Sequence, residues 1–122
     1  MNPIEKDFAS AIERLEEVLA LEKTAINRDS AIKRFELCFD LAWKSVKNFA
    51  KGEGVECNSP RACFKTAFQL KLIDYGEKWI EMIEDRNKSV HLYREEFADE
   101  IYKHLSGYAH LFEELAGALK KK

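Results

Sequence analysis

The chain has 122 residues, of which 46% are hydrophobic, and its 20 basic and 22 acidic side chains give a formal net charge of −2. This size and apolar content predict a single domain, residues 1–122, with one core. The balanced charge argues against a general nucleic-acid binder, so any contact with a polyanion must be local. No apolar run approaches the ~18 residues of a membrane span, and the N-terminus lacks the pattern of a secretory signal. We therefore expect a cytoplasmic protein without a membrane contact.

The first half of the chain predicts two helices. Apolar residues at spacings of three and four indicate a first helix over about 4–23. The polar stretch TAINRDS follows, and Asp29 or Ser30 is the predicted N-cap of a second helix over about 31–51. The apolar stripe of that second helix is wide. It should therefore be central, or bury one face in the fold and another against a partner.

Three further helices are predicted in the second half. Ser59 as N-cap and Pro60 at the first helical position begin the third, which reaches about Leu72. The fourth contains the apolar run WIEMI, and the fifth begins near Glu95 and continues to the end of the chain. The pattern predicts an all-α fold: an up-and-down four-helix bundle with an additional short helix, five helices in total.

Cysteine and histidine spacing gives no sign of a metal site. Cys38, Cys57 and Cys63 are odd in number and lack C-x-x-C spacing, so we expect reduced thiols, with Cys38 and Cys63 in the core and Cys57 in a loop. The Glu-x-x-His pairs of di-iron bundles and the ligand spacing of zinc sites are absent. His104 and His110 lie beside the stripe of the last helix, where ordinary surface or boundary histidines are expected. We predict neither a metal nor a cofactor.

The stretch EDRNKSVHLYREE, residues 84–96, departs from the apolar pattern. On a regular helix Arg86 and Tyr93 lie about 700° apart, nearly on one face, whereas His91 lies about 140° round from Arg86. Arg86 and His91 can reach one pocket if the helix unwinds near Val90 or if the arginine stem curls. A two-fold dimer could also bring both pairs to one cleft. The same spacing equally suits a solvated helix face with a histidine at its end.

These residue types suit chemistry on a phosphodiester. Arginine offers a planar fork of donors to phosphate, and histidine moves protons near neutral pH. Asn87 can orient a ribose hydroxyl or the phosphate, and Lys88 adds positive charge. Without metal ligands nearby, the pattern favours metal-independent RNA cleavage, in which His91 acts as base or acid and Arg86 stabilises the developing charge.

The motif RNKSVHLY matches the R-x4-H-x-Y pattern of HEPN domains, with the frequent Asn after the Arg. Three longer blocks, RFELCFDLAWKSVK, NSPRACFKTAFQLKLI and WIEMIEDRNKSVHLYREEFADEIY, resemble one branch of that superfamily over nearly the full chain. This branch is the group of nucleotidyltransferase substrate-binding proteins, which are small helical partners of minimal nucleotidyltransferases.

The resemblance implies a homodimer in which the Arg and His motifs share a cleft. Many HEPN domains are ribonuclease toxins, and in this chain the essential pair would be Arg86 and His91. A cognate, ATP-using minimal nucleotidyltransferase would silence the toxin by attaching AMP to Tyr93. Residues of the second-helix block are candidates to flank the same cleft: Glu36, Asp40 and Lys44. The alternatives are a non-catalytic subunit that binds nucleotide or substrate for the nucleotidyltransferase, and a purely structural helical adaptor.

Overall fold

A computed structural model describes residues 2–74, 76–91 and 94–122. These ranges form five α-helices and contain no strand, which confirms the predicted all-α class. Within them, no helix combines the length and apolar composition that a bilayer crossing requires. The helices are α1 (Pro3–Leu19), α2 (Ala25–Gly52), α3 (Pro60–Gln69), α4 (Glu77–Lys88) and α5 (Glu95–Lys121), and a short 3-10 turn, Ser89–His91, follows α4.

Helix α2 begins earlier than predicted. The Thr24 hydroxyl accepts a hydrogen bond from the Asn27 amide at 3.0 Å and caps the helix, so the prediction that Asp29 or Ser30 would cap it is wrong. The polar stretch instead supplies the first turns of α2, where most of its side chains face solvent. The predicted ends of α1 and α3 were also a few residues too long, whereas the Ser59 cap of α3 is confirmed.

Helix α2 packs against α1, α3 and α5, as its wide apolar stripe predicted. An aromatic cluster fills the space between α2 and α5. The Phe35 ring stacks on Tyr108 at a centroid distance of 5.4 Å and lies 6.2 Å from Phe112. Phe112 in turn meets Phe8 of α1 edge to face at 5.9 Å. Because these rings are fully buried, they fix α2 and α5 relative to each other.

A buried arginine ties the start of α2 to the start of α5. The Arg28 residue is only 4% exposed, and its Nη1 lies 2.7 Å from Glu95 Oε2 and 3.0 Å from Asp99 Oδ1. Hydrogen bonds from Arg28 hold the pKa of both Glu95 and Asp99 below their ordinary values. Together with Arg28 these two carboxylates form what we call the Arg28 clamp. It anchors the first turn of α5, which directly follows the motif.

The prediction that all three cysteines are reduced thiols is wrong for Cys57 and Cys63. Cys57 and Cys63 form a disulfide with a Cα–Cα distance of 5.1 Å, and both residues are buried. The chain turns at the Ser59 cap, so residue 57 comes to lie beside the first turns of α3. Sequence spacing alone does not reveal that return. Cys38 is a free, buried cysteine of α2, and burial, with a smaller effect of Glu16, raises the pKa of its thiol to about 12.

Candidate functional site

The motif spans the end of α4, because Arg86, Asn87 and Lys88 form its last turn and the residues after them leave the α-helix. The α-helix ends at Lys88, and the Ser89 amide that caps it bonds to the carbonyl groups of Asp85 and Arg86. Residues 89–91 continue as a 3-10 turn. A 3-10 turn is wound more tightly than an α-helix, so it changes the direction of the side chains after Arg86. The regular α-helix thus ends before Val90, and a common pocket for Arg86 and His91 depends on how this turn directs their side chains.

Arg86 is bound to α2 through Glu36 and to its own helix end through Ser89. Its Nη1 lies 3.4 Å from Glu36 Oε2 and 3.2 Å from Ser89 Oγ. The Ser89 hydroxyl contacts Glu36 Oε2 and lies 2.7 Å from the Arg86 carbonyl oxygen. A hydroxyl has one proton, so it donates to one of these oxygens at a time while accepting from Arg86. Glu36, Arg86 and Ser89 thus form a compact polar cluster, the Arg86 cluster.

The Arg86 cluster lies at the edge of the surface. Ser89 is 2% exposed, whereas the side chains of Glu36 and Arg86 are 14% and 28% exposed. Arg86 Nε is buried and has no hydrogen-bond partner among residues 2–74, 76–91 and 94–122. The Arg86 side chain as a whole is thus partly exposed, and an anion that reaches its guanidinium must compete with the carboxylate of Glu36.

The other motif residues follow this cluster along the chain. Asn87 and Lys88 are exposed in the last turn of α4. His91 is exposed in the 3-10 turn, and its ring lies 6.2 Å from the Phe97 ring of α5. Tyr93, the predicted site of AMP attachment, lies outside the described residues. A shared pocket for Arg86 and His91 stays a prediction.

The second-helix candidates differ in their relation to Arg86. Glu36 contacts Arg86, whereas Asp40 and Lys44 follow it by about one and two helical turns along α2. Asp40 is partly buried, and Lys44 is exposed with its Nζ 5.9 Å from the centroid of the Trp43 ring. Of the three, Glu36 is the one that the fold brings to Arg86.

Two polar residues beside Arg86 were not predicted from the sequence. One is Ser89, whose position three residues after Arg86 at a helix end was an available signal. The other is Asp85, which is 4% exposed and accepts hydrogen bonds on Oδ2 from the Tyr108 hydroxyl at 2.5 Å and from His104 Nδ1 at 2.7 Å. Burial and the bond to Asp85 raise the pKa of Tyr108. His104 is a boundary histidine, as predicted, but it has a specific buried partner.

A cleft of about 810 Å³ lies elsewhere, between the end of α3 and α5. None of its lining residues belongs to the motif, so the candidate site is a surface cluster and not this cleft. The cleft is lined by Phe68, Gln69, Lys71, Leu72, Ile73, Asp74, Trp79, Leu111 and Glu114.

In the described part of the chain, no group of three or more His, Cys, Asp or Glu side chains is arranged to hold a metal ion.

Comparison with known protein families shows to which family this chain belongs. Residues 5–121 match the model of the family described as nucleotidyltransferase substrate binding protein like. The chain belongs to this family. The match confirms the branch that the motif and the three helix blocks predicted, and it supports a nucleotidyltransferase as partner. Among curated proteins, none matches the chain.

Solved structures of similar fold agree with this family assignment. A crystal structure of a protein from Thermus thermophilus shares 34% sequence identity with this substrate-binding-protein-like chain and has a TM-score of 0.86. The aligned region covers 92% of this chain and 98% of the Thermus thermophilus chain. A Haemophilus influenzae protein, described as revealing the fold of a substrate binding domain of a nucleotidyltransferase, has a TM-score of 0.84. It covers 95% of this chain and 98% of its own, and at 18% identity the likeness shows the fold.

Proposed function

We propose that this protein is the nucleotide- or substrate-binding subunit of a complex with a separately encoded minimal nucleotidyltransferase. Arg86 would bind the phosphate of the ligand. The observation that carries this proposal is the position of Arg86, whose Nη1 contacts Glu36 and Ser89 and whose side chain is 28% exposed. A planar guanidinium is well suited to phosphate because its donors match phosphate oxygens in pairs.

The charges around Arg86 favour a small ligand over a long polyanion. Lys88 lies exposed nearby in the last turn of α4, and exposed Glu84 lies in the same helix. The C-terminal end of a helix also carries partial negative charge, which opposes an anion. A nucleotide phosphate needs only the local contact with Arg86, assisted by Asn87 and Lys88, whereas a long RNA would meet the mixed surface over its whole length.

Calorimetric titration with ATP, with and without the cognate minimal nucleotidyltransferase, tests the proposal. Arg86→Gln should weaken ATP binding roughly tenfold or more, since a hydrogen bond to a charged group contributes about 1.5–3 kcal/mol. Arg61→Gln, at an exposed position of α3, is the matched control and should leave ATP binding unchanged. Absence of ATP binding both alone and in the complex, or equal loss with Arg61→Gln, would refute this role.

Exposed apolar residues next to the Arg86 cluster in the chain suit an interface between two copies of the protein. Leu37 is 51% exposed and Val90 is 65% exposed, and each directly follows a member of the Arg86 cluster in sequence. Burying such side chains is favourable, and a two-fold contact here would bring two Arg86 clusters together. Sedimentation of Leu37→Glu and Val90→Glu should show monomers where the wild type is a dimer. Leu21→Glu, at an exposed apolar position before α2, should not change the mass.

A second candidate function is metal-independent cleavage of RNA. It is favoured by the exposed His91 in the 3-10 turn after Arg86, where an imidazole is reachable by substrate. The ribose 2′-oxygen would attack the adjacent phosphorus, the 5′-oxygen would leave, and a 2′,3′-cyclic phosphate would form. His91 would take the proton from the 2′-hydroxyl or give one to the leaving oxygen, and Arg86 would stabilise the phosphoryl charge.

Control of that activity would fall on Tyr93. The nucleotidyltransferase would transfer AMP from ATP to the phenolic oxygen and release pyrophosphate. The added phosphate would carry negative charge into the motif, where it competes with RNA for Arg86. Intact-mass analysis after co-expression should show a gain of AMP that Tyr93→Phe abolishes and Tyr102→Phe retains. A gain that survives Tyr93→Phe would place the modification elsewhere.

Incubation of the pure protein with RNA and EDTA separates the two functions. If the protein is a ribonuclease, the wild type yields cyclic phosphate ends, and Arg86→Ala and His91→Ala lose the activity. His110→Ala, at a 77% exposed side chain of α5, is the control and should cleave normally. ATP binding without RNA cleavage would leave the binding subunit as the function, and equal cleavage by His91→Ala would count against the catalytic role.

A further inference from the structure

A polar network joins α4 to α5 on the side of α4 that does not meet Glu36. Asp85 Oδ2 is its centre and accepts bonds from His104 Nδ1 at 2.7 Å and from the Tyr108 hydroxyl at 2.5 Å. The Tyr108 hydroxyl also lies 3.2 Å from Glu81 Oε1. The Asp85 side chain is 6% exposed, whereas the His104 side chain is 27% exposed. The network thus has a buried carboxylate and one partner that solvent can reach.

Asp85 directly precedes Arg86 in the last turn of a helix of 12 residues. Three sets of polar contacts join α2, α4 and α5 to one another in pairs around the site. The Arg28 clamp joins α2 to α5, the Asp85 network joins α5 to α4, and the contact of Arg86 with Glu36 joins α4 back to α2. Because α5 is fixed to α2 by the clamp and by buried aromatic rings, the Asp85 network sets where the end of α4 lies relative to Glu36.

We propose that His104 and Asp85 are positioning residues for Arg86, with His104 acting through the Asp85 carboxylate. This inference rests on the proposed role of Arg86 as the group that binds phosphate. A carboxylate oxygen only accepts hydrogen bonds, so we assign Nδ1 of His104 as the donor to Asp85, which leaves Nε2 3.8 Å from Glu100 Oε1.

The charged and titratable groups that face His104 come from both helices. Asp85 faces it from α4, and Glu81 is connected through the Tyr108 hydroxyl. Glu100 and Tyr108 face it from α5 itself. Loss of the His104 donor would therefore weaken the hold on Asp85, and the peptide that carries Arg86 would gain freedom.

The signal of the Arg86 Nε–H group in a ¹H–¹⁵N spectrum reports on this arrangement directly. This nitrogen is buried, so its proton should exchange slowly with water and remain visible. Three variants decide the question. His104→Leu removes the donor to Asp85, His104→Asn retains a donor at the Nδ1 position but cannot titrate, and His110→Leu is the control. His110 is a matched residue because it pairs with Glu114 on the same helix, as His104 does with Glu100.

His104→Leu should shift and broaden the Arg86 Nε signal, and His104→Asn should restore it. In the same samples His104→Leu should weaken ATP binding by roughly two- to thirtyfold, the range of measured coupling between linked sites. A merely structural role for His104 would lower stability without moving the Arg86 signal in a way that His104→Asn restores.

Three results would overturn the inference. They are an Arg86 signal that is unchanged in His104→Leu, a response equal to that of His110→Leu, and a shifted signal that His104→Asn does not restore. If His104→Leu does not fold, His104→Gln takes its place, because its amide reaches the Nε2 position instead of the Nδ1 position and so should shift the Arg86 signal where His104→Asn does not. Failure of the proposed function is seen separately, because a wild type that does not bind ATP still reports through its Arg86 signal whether His104 positions that residue.

Discussion

Nη1 of Arg86 lies 3.4 Å from Oε2 of Glu36, although the two residues are 50 positions apart in the chain. The guanidinium proposed to bind phosphate thus already has a carboxylate partner. That partner has two opposing effects: it holds Arg86 in place, and it competes with an incoming anion. The balance between these effects determines how strongly the site binds a nucleotide, and it can be measured.

Glu36→Gln should tighten ATP binding by up to about fivefold, since an ion pair at the margin of the surface contributes about 0.2–1 kcal/mol. The amide keeps the size of the side chain and an acceptor oxygen but removes the competing charge. Calorimetric titration at two salt concentrations measures the effect. Glu17→Gln, an exposed position on α1, makes the same change in net charge and should have little effect. Weaker binding by Glu36→Gln would mean that Glu36 chiefly positions Arg86.

Ser89→Ala should lower the free energy of unfolding by about 1–2 kcal/mol, because the buried hydroxyl bonds to both Arg86 and Glu36. Urea unfolding followed by circular dichroism measures the change. Ser45→Ala is a matched control, since Ser45 is also a buried serine but its hydroxyl has no hydrogen-bond partner within the described residues. Its replacement should be neutral or stabilising. Equal losses in both variants would contradict the role given to the Ser89 hydroxyl.

Arg28→Gln should lower the melting temperature by several degrees at neutral pH, and the loss should shrink in acid. The pKa values of Glu95 and Asp99 are lowered in the folded state by Arg28. Their contribution to stability is therefore complete above the unfolded pKa values, about 4.3 and 3.9, and is lost as pH falls through the folded values. Wild type and variant should thus converge only once the pH lies below the lowered folded-state pKa values of Glu95 and Asp99, where both carboxylates are protonated.

Arg34→Gln provides the control for this pH dependence. Arg34 also belongs to α2, but its hydrogen bond goes to the backbone carbonyl of Arg14 at 2.7 Å, which does not titrate. Melting curves from pH 3 to 8 should show a nearly constant difference from wild type for Arg34→Gln. A constant difference for Arg28→Gln as well would mean that the Arg28 clamp does not depend on the two carboxylates.

Thiol titration should distinguish the three cysteines. The native protein should react slowly with a disulfide reagent, because Cys38 is buried and its thiol pKa is raised to about 12. Unfolding without reductant should expose one thiol, and prior reduction should expose all three, as the Cys57–Cys63 disulfide requires. Three reactive thiols in the unreduced, unfolded protein would contradict the disulfide.

Phe112→Ala should destabilise the domain by about 3–5 kcal/mol, since it removes a fully buried ring from the aromatic cluster. Phe68→Ala removes the same side chain from a position that is 52% exposed, so its cost should be much smaller. Denaturant unfolding of the two variants gives the comparison. Similar losses in the free energy of unfolding would mean that the aromatic cluster between α1, α2 and α5 stabilises the fold no more than an exposed ring does.

The sequence by itself determined the helices and the family. Apolar residues recur at helical spacing, and Ser59 followed by Pro60 is a local start signal, so five helices could be predicted from short-range patterns. Local signals also set the limits of that prediction. The cap at Thr24 competes with nearby Asp29 and Ser30, and a sequence window cannot rank such neighbouring caps. The motif containing Arg86 and His91 was readable for the same reason, because its residues are close together in the chain.

Only the tertiary structure decided which side chains meet. Glu36 with Arg86, Asp85 with His104, and Arg28 with Glu95 are separated by 50, 19 and 67 positions. Helical periodicity indicates which face of each helix is apolar, but polar residues at the margins of those faces carry no signal of their partners. Their pairing depends on the rotation and offset of one helix against another. Packing of the whole core sets those two quantities, and no local stretch of sequence contains them.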